Sequence, residues 1–366
     1  NAENTLIGSS NSGLPYLIRK KGLLPLDEAM VLEQQGKYPC VLFTRTQEGN
    51  KTRNVWGYPI ADLMRELPYL QAFIPLEKTL SWRSALRGPN DVDKEITHVL
   101  DKAQRLGREV ISIDFSNFDA SVTPELSNKA FSCIANSFSA SHNEQLFEIW
   151  HRFTTIPIHT PEGDFGGPHG VPSGSGFTNS VDSFAQFEAF HSSEGRGSEL
   201  MQVQGDDGIY LTNDKEELYE RFKRSGLSVN SDKSHESFDS AIYLQRYYNN
   251  AYLSRDIPGQ LGGVYPIYRA IGRLKYLERW TDLDKAGIEG KDYFALRAVM
   301  ILENVKHHPA FEEFVNLVQS WDRFNLDFDT DAIPAFSRLM ESKARTGQLN
   351  EDIVTGLLNY ETIKHL

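Results

Sequence analysis

The chain has 366 residues, 40% hydrophobic and 24% charged, with 38 Lys and Arg against 50 Asp and Glu and a formal net charge of −12. That composition fits a globular protein of two or three subdomains and excludes a uniformly basic nucleic-acid binder, though not a basic channel inside an acidic shell. Two cysteines, Cys40 and Cys133, are too few for a disulfide framework or a zinc site, so a reducing compartment is expected. No apolar run reaches bilayer-spanning length and no signal-peptide pattern opens the sequence. The expectation is a soluble chain, with Asn1 a trimmed start.

In chain order, residues 1–60 mix Gly, Pro and Ser turns with short apolar runs. "EVISIDF" (109–115) reads as a buried strand. Thr123 then caps a helix with Pro124 at its first position and Glu125 in its first turn, running towards residue 138. A Gly-rich turn (163–176) leads into a helix over "FTNSVDSFAQFEAF" (177–190). "LMQVQ", "GDD" and "IYL" form a predicted β-hairpin with the aspartates at its tip. "DKEELYERFKRSG" (214–226) is an amphipathic helix ending at Gly226, and "AIYLQRYY" (241–248) alternates like one strand. From about residue 264 the pattern is helical to the end. No repeat, low-complexity tract or long linker interrupts this order, which predicts an α+β core with an antiparallel sheet and a helical domain after it.

Three stretches carry chemistry. In "SIDFSNFDAS" (112–121), Asp114 ends the predicted strand and Asp119 follows a turn; alone, they read as a strand end and a solvated acid. In "QGDDGIYL" (204–211), Asp206 and Asp207 adjoin at a hairpin tip, where ionised carboxylates repel unless a cation sits between them. Strand-end carboxylates on neighbouring strands can converge on hard divalent ions, which makes Asp114, Asp206 and Asp207 the candidate ligands. "GVPSGSGFTNSVDS" (170–183) lies between the two acidic elements, and it lacks the Lys-Ser or Lys-Thr ending of an ATPase phosphate loop. Basic residues cluster in "IRKK" (18–21), "NKTRN" (50–54), "DKAQRLGRE" (101–109) and "YRAIGRLKYLER" (268–279), leaving a channel open.

With these residues in view, the chain resembles the RNA-dependent RNA polymerases of RNA viruses. Asp114 and Asp119 match that family's motif A, "SGSGFTNSVDS" its motif B and "GDD" its motif C. "NSDKSHESF" (230–238) resembles motif D, "YLQRYY" (243–248) motif E, "EGNKTRNVWG" (48–57) motif F and "SSNSGLPY" (9–16) the template-gripping motif G. "PSGSGFTNSVDS" and "KTRNVWG" look most like picobirnavirus and partitivirus polymerases, whose genomes are double-stranded RNA.

The resemblance implies a right-hand polymerase: fingers over 1–107, palm over 108–138 and 166–262, a fingers insertion over 139–165 and a thumb over 263–366. It makes Asp114 and Asp206, supported by Asp207, the ligands of Mg²⁺, with Mn²⁺ as an alternative ion, and Lys233 the general acid for departing pyrophosphate. Lys51 and Arg53 would hold the triphosphate, an arginine fork suiting phosphate. Asp119, Ser173, Gly174, Thr178 and Asp182 would line the ribose site. Asp182 stands where many relatives carry Asn, and Asn179 lies nearer the helix start, so either is a candidate sugar reader. Arg246 would contact the growing strand, and Ser10, Ser12 and Gly13 the template.

Expected partners are an RNA template and product duplex, ribonucleoside triphosphates and a viral capsid protein, with no membrane segment, in the host cytoplasm or the virion interior. Two rivals share the carboxylates. A reverse transcriptase would carry an aromatic residue in place of Asp119 and no Ser-Gly motif, and a metal-dependent phosphohydrolase would have no use for "NKTRN" and "DKS" together. A silent capsid or RNA-packaging protein on the same fold would not need Asp114, Asp206, Asp207 and Lys233 intact. In the helix "YRAIGRLKYLERW", Ile271, Leu274 and Leu277 are expected on the buried side. The His307–His308 pair shows no ligand spacing.

Overall fold

The computed structural model describes residues 10–20, 23, 28–47, 51–191, 200–277 and 289–322. Its main elements, in chain order, are α1 (Glu28–Leu32), β1 (Cys40–Gln47), β2 (Lys51–Gly57), α2 (Ile60–Glu77), α3 (Pro89–Leu106), β3 (Val110–Ile113), α4 (Phe118–Ser121), α5 (Pro124–Ala135), α6 (Asn143–Thr155), β4 (Ile158–Thr160), β5 (Gly163–Phe165), α7 (Thr178–Phe190), β6 (Leu200–Gln204), β7 (Asp207–Leu211), α8 (Lys215–Arg224), β8 (His235–Ser237), β9 (Ser240–Tyr243), β10 (Arg246–Asn249), α9 (Ile267–Lys275), α10 (Gly290–Val305) and α11 (Phe311–Trp321). Among the described residues, no helix is long and apolar enough to cross a membrane. The chain divides into two units, one of residues up to Arg83 with Ile111–Ser234, the other of Ser84–Val110 with residues from His235 on.

In the first unit, β6, β7 and β3 lie side by side in that order. β6 and β7 are antiparallel from Leu200↔Leu211 to Gln204↔Asp207, so the hairpin turn is Gly205-Asp206. The α5 helix begins as its sequence dictates: the Leu126 N–H donates to Thr123 Oγ1 at 3.2 Å and Pro124 takes the first turn. It ends at Ala135, short of the expected 138. The α7 helix is buried on almost every side, with Ser180, Asp182, Ser183 and Gln186 inside alongside Val181, Phe184 and Ala185. Phe131, Phe153, Phe177, Phe190, Tyr210 and Phe222 fill the core between α7, α5 and the strands, and the full burial of such a ring contributes roughly 1.5–3 kcal/mol. Polar groups carried into that core need partners, and Ser180, Ser183 and Gln186 find them.

The segment before α2, expected only as turns and short runs, supplies two strands of a second sheet. β1 and β2 pair antiparallel from Val41↔Gly57 to Gln47↔Lys51, β1 runs parallel to β4 at Cys40↔Ile158, and β4 turns back on β5, giving the order β2-β1-β4-β5.

In the second unit, one expectation is corrected. "AIYLQRYY" is not a single strand but a hairpin, β9 paired with β10 from Ser240↔Asn249 to Tyr243↔Arg246. Its turn residues, Leu244 (φ 50°) and Gln245 (φ 63°), both take the left-handed conformation, which no Asn-Gly or Asp-Gly announced. Behind it, the Tyr248 hydroxyl donates to Asp93 on α3 at 2.9 Å and buried His307 lies 3.4 Å from the same carboxylate. Ile271 and Leu274 pack on a cluster of Ala270, Leu302, Val305, Phe311 and Phe314, but α9 ends at Lys275, so Leu277 lies past the helix. The expected helical pattern beyond residue 322 lies outside the described residues.

Candidate active site

The turn between β6 and β7 places Asp206 at its tip and Asp207 at the start of β7. Gly205 has a φ of +63°, which a side chain would strain, and its peptide is held from both ends by α7. Its N–H donates to Ser183 Oγ at 2.9 Å and its carbonyl accepts from the Gln186 amide. Asp114 follows β3 directly. Its N–H donates to Ser234 Oγ at 3.2 Å and its carbonyl accepts from the Asn230 N–H at 2.8 Å, while the Ser116 N–H donates to Ser228 O at 2.8 Å. This stitching brings Lys233 Nζ to 4.0 Å from Asp114 Oδ2, both side chains half exposed.

The acids lie in one another's field. Burial and the charges of Asp206 and Asp114 push the Asp207 carboxyl up to about 7, with Arg53 pulling the other way. Burial and Asp206 also raise Asp119, again opposed by Arg53. Asp182 is raised well above the usual carboxylate range by burial, then by Asp119 and Asp206, against the pull of Arg83. Like charges gathered this way are relieved by a proton or a cation. Among the described residues, no three His, Cys, Asp or Glu side chains close into a metal cage. Mg²⁺ does not require one, since it keeps waters and binds through one or two carboxylates together with substrate phosphates. Hard oxygen donors in mutual repulsion therefore fit such an ion, and Asp114, Asp206 and Asp207 are the residues that would hold it.

The Ser-Gly loop packs against β2. The Trp56 N–H donates to Ser173 Oγ at 3.1 Å, and a side chain at Gly174 would put its Cβ 2.1 Å from Trp56 O, so only glycine fits. The Thr178 hydroxyl lies 2.9 Å from Pro172 O and 3.0 Å from Ser175 O, its proton spent on the loop itself. The Val171 N–H donates to Asp119 O at 2.7 Å, tying this loop to the turn after β3. At the helix start, Asn179 Oδ1 accepts from Arg83 at 2.7 Å. Asp182 is 4% exposed, and its Oδ1 has no hydrogen-bond partner.

Other expected residues lie elsewhere. Ser12 is fully buried with its hydroxyl on Gly13 O, and its carbonyl accepts from the Ile60 N–H at 2.8 Å. It builds the turn and presents no exposed hydroxyl. The Gly13 N–H donates to Asn11 Oδ1, and Ser10 O accepts from the Lys20 N–H. Arg246 belongs to the second unit, where it donates to Asn304 Oδ1 at 3.0 Å and lies 3.9 Å from Asp93. The Lys51 backbone pairs with Gln47; its side chain lies outside the described residues.

The comparisons with known proteins agree with one another. The profile of the family described as viral RNA-dependent RNA polymerase matches residues 37–262. The chain belongs to the viral RNA-dependent RNA polymerases. It is 30% identical to a potential RNA-dependent RNA polymerase of human picobirnavirus (strain Human/Thailand/Hy005102/-), across 98% of this chain and 73% of that protein. It is 26% identical to the RNA-directed RNA polymerase of Cryptosporidium parvum virus 1 (strain KSU-1), across 76% of this chain and 53% of that one. The crystal structure of a human picobirnavirus RNA-dependent RNA polymerase superposes with a TM-score of 0.77 at 28% identity, covering all of this chain and 75% of that one. The polymerase therefore has the right-hand polymerase fold and is a nucleotidyltransferase acting on RNA and nucleotides.

Sequence reasoning missed the buried polar residues behind the site. Glu66 accepts from Ser175 Oγ and the Gly176 N–H, both at 2.8 Å, and from the Tyr58 hydroxyl at 2.9 Å. Arg83 and Glu77 are buried together 3.3 Å apart. The available signal was charge set inside apolar runs, as Asp62, Arg65 and Glu66 are in "IADLMRELPYL" and Arg83 is in "LSWRSAL".

Proposed function

We propose that the polymerase copies RNA by two-metal nucleotidyl transfer, for viral genome replication and transcription in the host cytoplasm or the virion. An RNA 3′-hydroxyl attacks the α-phosphate of a ribonucleoside triphosphate, and pyrophosphate departs. Asp114 and Asp206, with Asp207, are the ion holders in this reading. Bound divalent ions would activate the attacking hydroxyl and neutralise the leaving phosphate oxygens. Arg53, opposite Asp119 and Asp207, meets the triphosphate. Lys233, beside Asp114, gives a proton to the departing pyrophosphate. Asp119 and Asp182 read the ribose hydroxyls. In this reading the fingers, palm and thumb have the bounds expected from the sequence, and Arg246 contacts the growing strand.

The observation that carries this reading is that Asp114, at the end of β3, stands beside the strand β7 that begins at Asp207 after the Asp206 turn, the sheet running β6-β7-β3. The test is primer extension on an RNA template with Mg²⁺, comparing ribonucleotides with deoxynucleotides in wild type and Asp206→Asn. Template-dependent incorporation of ribonucleotides, abolished in the variant while template binding persists, is the expected result. A variant retaining a tenth of the wild-type rate with Mg²⁺ alone sinks the ion assignment.

A further inference from the structure

Arg83 has no exposed surface, and nothing in the reaction above uses it. A guanidinium carried into a core is costly unless its donors are met, and here both terminal nitrogens donate to groups that build the active site. Nη1 donates to Ser183 Oγ and, at 3.1 Å, to Val203 O near the end of β6. Nη2 donates to Asn179 Oδ1 at 2.7 Å and lies 3.3 Å from Glu77 Oε1. Glu77 is itself fixed, accepting from the Ser180 hydroxyl at 2.8 Å. One planar fork thus grips two successive turns of α7 and the strand that runs into the Gly205-Asp206 turn.

Ser183 passes the constraint on. Its hydroxyl donates to Asn179 O at 2.7 Å, so its remaining oxygen capacity serves both Arg83 and the Gly205 N–H at 2.9 Å. The chain of contacts runs Glu77, Arg83, Ser183, Gly205, and the next residue is Asp206. The same fork uses the carbonyl side of the Asn179 amide, which fixes which way that amide faces; its nitrogen side lies toward Gly205.

We propose that Arg83 is a positioning residue for nucleotidyl transfer: through Ser183 and Val203 it sets where the Asp206 turn stands against α7. It touches neither nucleotide nor ion, and it acts by holding the residues that do. A lysine keeps the charge but not the fork, so it cannot span Ser183, Val203 and Asn179 together. This rests on the reading of Asp206 as an ion-holding carboxylate.

The test compares wild type, Arg83→Lys, Ser183→Ala and Asp206→Asn as full chains. It measures thermal unfolding, RNA affinity, single-turnover incorporation, nucleotide Kd and Mn²⁺ affinity from the electron paramagnetic resonance of the free ion. Arg83→Lys and Ser183→Ala are expected to lower the maximal incorporation rate and the Mn²⁺ affinity together, by ~10–100-fold, with RNA affinity and nucleotide Kd within about twofold of wild type. A purely structural role predicts the opposite, falling RNA affinity and Tm with Mn²⁺ affinity unchanged, and that result overturns the proposal. Should Arg83→Lys fail to fold, Ser183→Ala decides, because it keeps Arg83 on Val203, Asn179 and Glu77 and removes the hydroxyl that joins it to Gly205, together with that hydroxyl's bond to Asn179 O. Wild-type rate and Mn²⁺ affinity in Ser183→Ala overturn the role of Arg83. The Asp206→Asn arm separates the two levels. If that variant binds Mn²⁺ like wild type, the ion assignment falls; if it loses Mn²⁺ while Ser183→Ala does not, only the role of Arg83 falls.

Discussion

The carboxylate of Glu66, buried in α2, receives the Ser175 hydroxyl and the Gly176 N–H, each at 2.8 Å, and so anchors the Ser-Gly loop from behind. Burial lifts its pKa from 4.5 to about 7, against the pull of the bonds from Ser175, Tyr58 and Gly176. A carboxyl raised in the folded state contributes stability that is fully present below pH 4.5 and is lost as pH rises through about 7. The size of that rise corresponds to ~3 kcal/mol. Glu66→Gln, which does not titrate, should therefore gain on wild type as pH rises from about 5 to about 8. The difference in unfolding free energy between the two proteins across pH is the measurement. A difference that stays flat or shrinks contradicts the prediction.

Gly174→Ala is expected to destabilise the polymerase by ~1–3 kcal/mol and to lower its activity. The added Cβ would meet the Trp56 carbonyl oxygen at 2.1 Å and the Tyr58 Cβ at 2.8 Å, and backbone there cannot yield as a flexible side-chain tip would. Thermal unfolding and primer extension together check this; wild-type values in both would mean that the loop and β2 are not packed as described.

Lys233→Leu should slow the chemical step by ~10²–10⁴-fold if the lysine is a general acid, while changing nucleotide Kd far less. The 4.0 Å separation from Asp114 between half-exposed groups makes the ion pair itself weak, so stability should hardly move. Single-turnover incorporation separates the roles, since an unchanged rate with a raised Kd would leave Lys233 as a phosphate contact.

Asp182→Asn should remain active and keep its preference for ribonucleotides. Burial beside Asp119 and Asp206 holds the Asp182 carboxyl protonated well above the usual range, so a neutral amide resembles it. In wild type, ionisation at high pH places another negative charge beside those two acids, and the alkaline decline this causes should be absent in the variant. Asp182→Ala should lose discrimination against deoxynucleotides, because the hydroxyl reader is left without a partner. The ratio of kcat/KM for ribo- over deoxynucleotide, measured across pH, tests this. An unchanged ratio in Asp182→Ala with a collapsed one in Asn179→Ala would make Asn179 the sugar reader.

Local chemistry made part of this protein legible from its sequence. The Thr123 cap, the GDD hairpin and the helix after the Ser-Gly loop each depend on residues within a few positions of one another. Their signals are turn residues, caps and periodicity, which a linear string retains. The β9–β10 turn escaped because Leu244 and Gln245 hold left-handed backbone that their own chemistry disfavours, and pairing across the strands overrides that preference. The sheet of β1, β2, β4 and β5 escaped because β1 pairs with β4, a strand more than a hundred residues further along the chain. Glu66 and Arg83 escaped for a related reason. A buried charge is defined by the partners that satisfy it, and Ser175 and Ser183 lie 109 and 100 residues away. Sequence thus determined which residues could do chemistry; only the tertiary structure decided what holds them in place, because desolvation and hydrogen bonding act through space rather than along the chain.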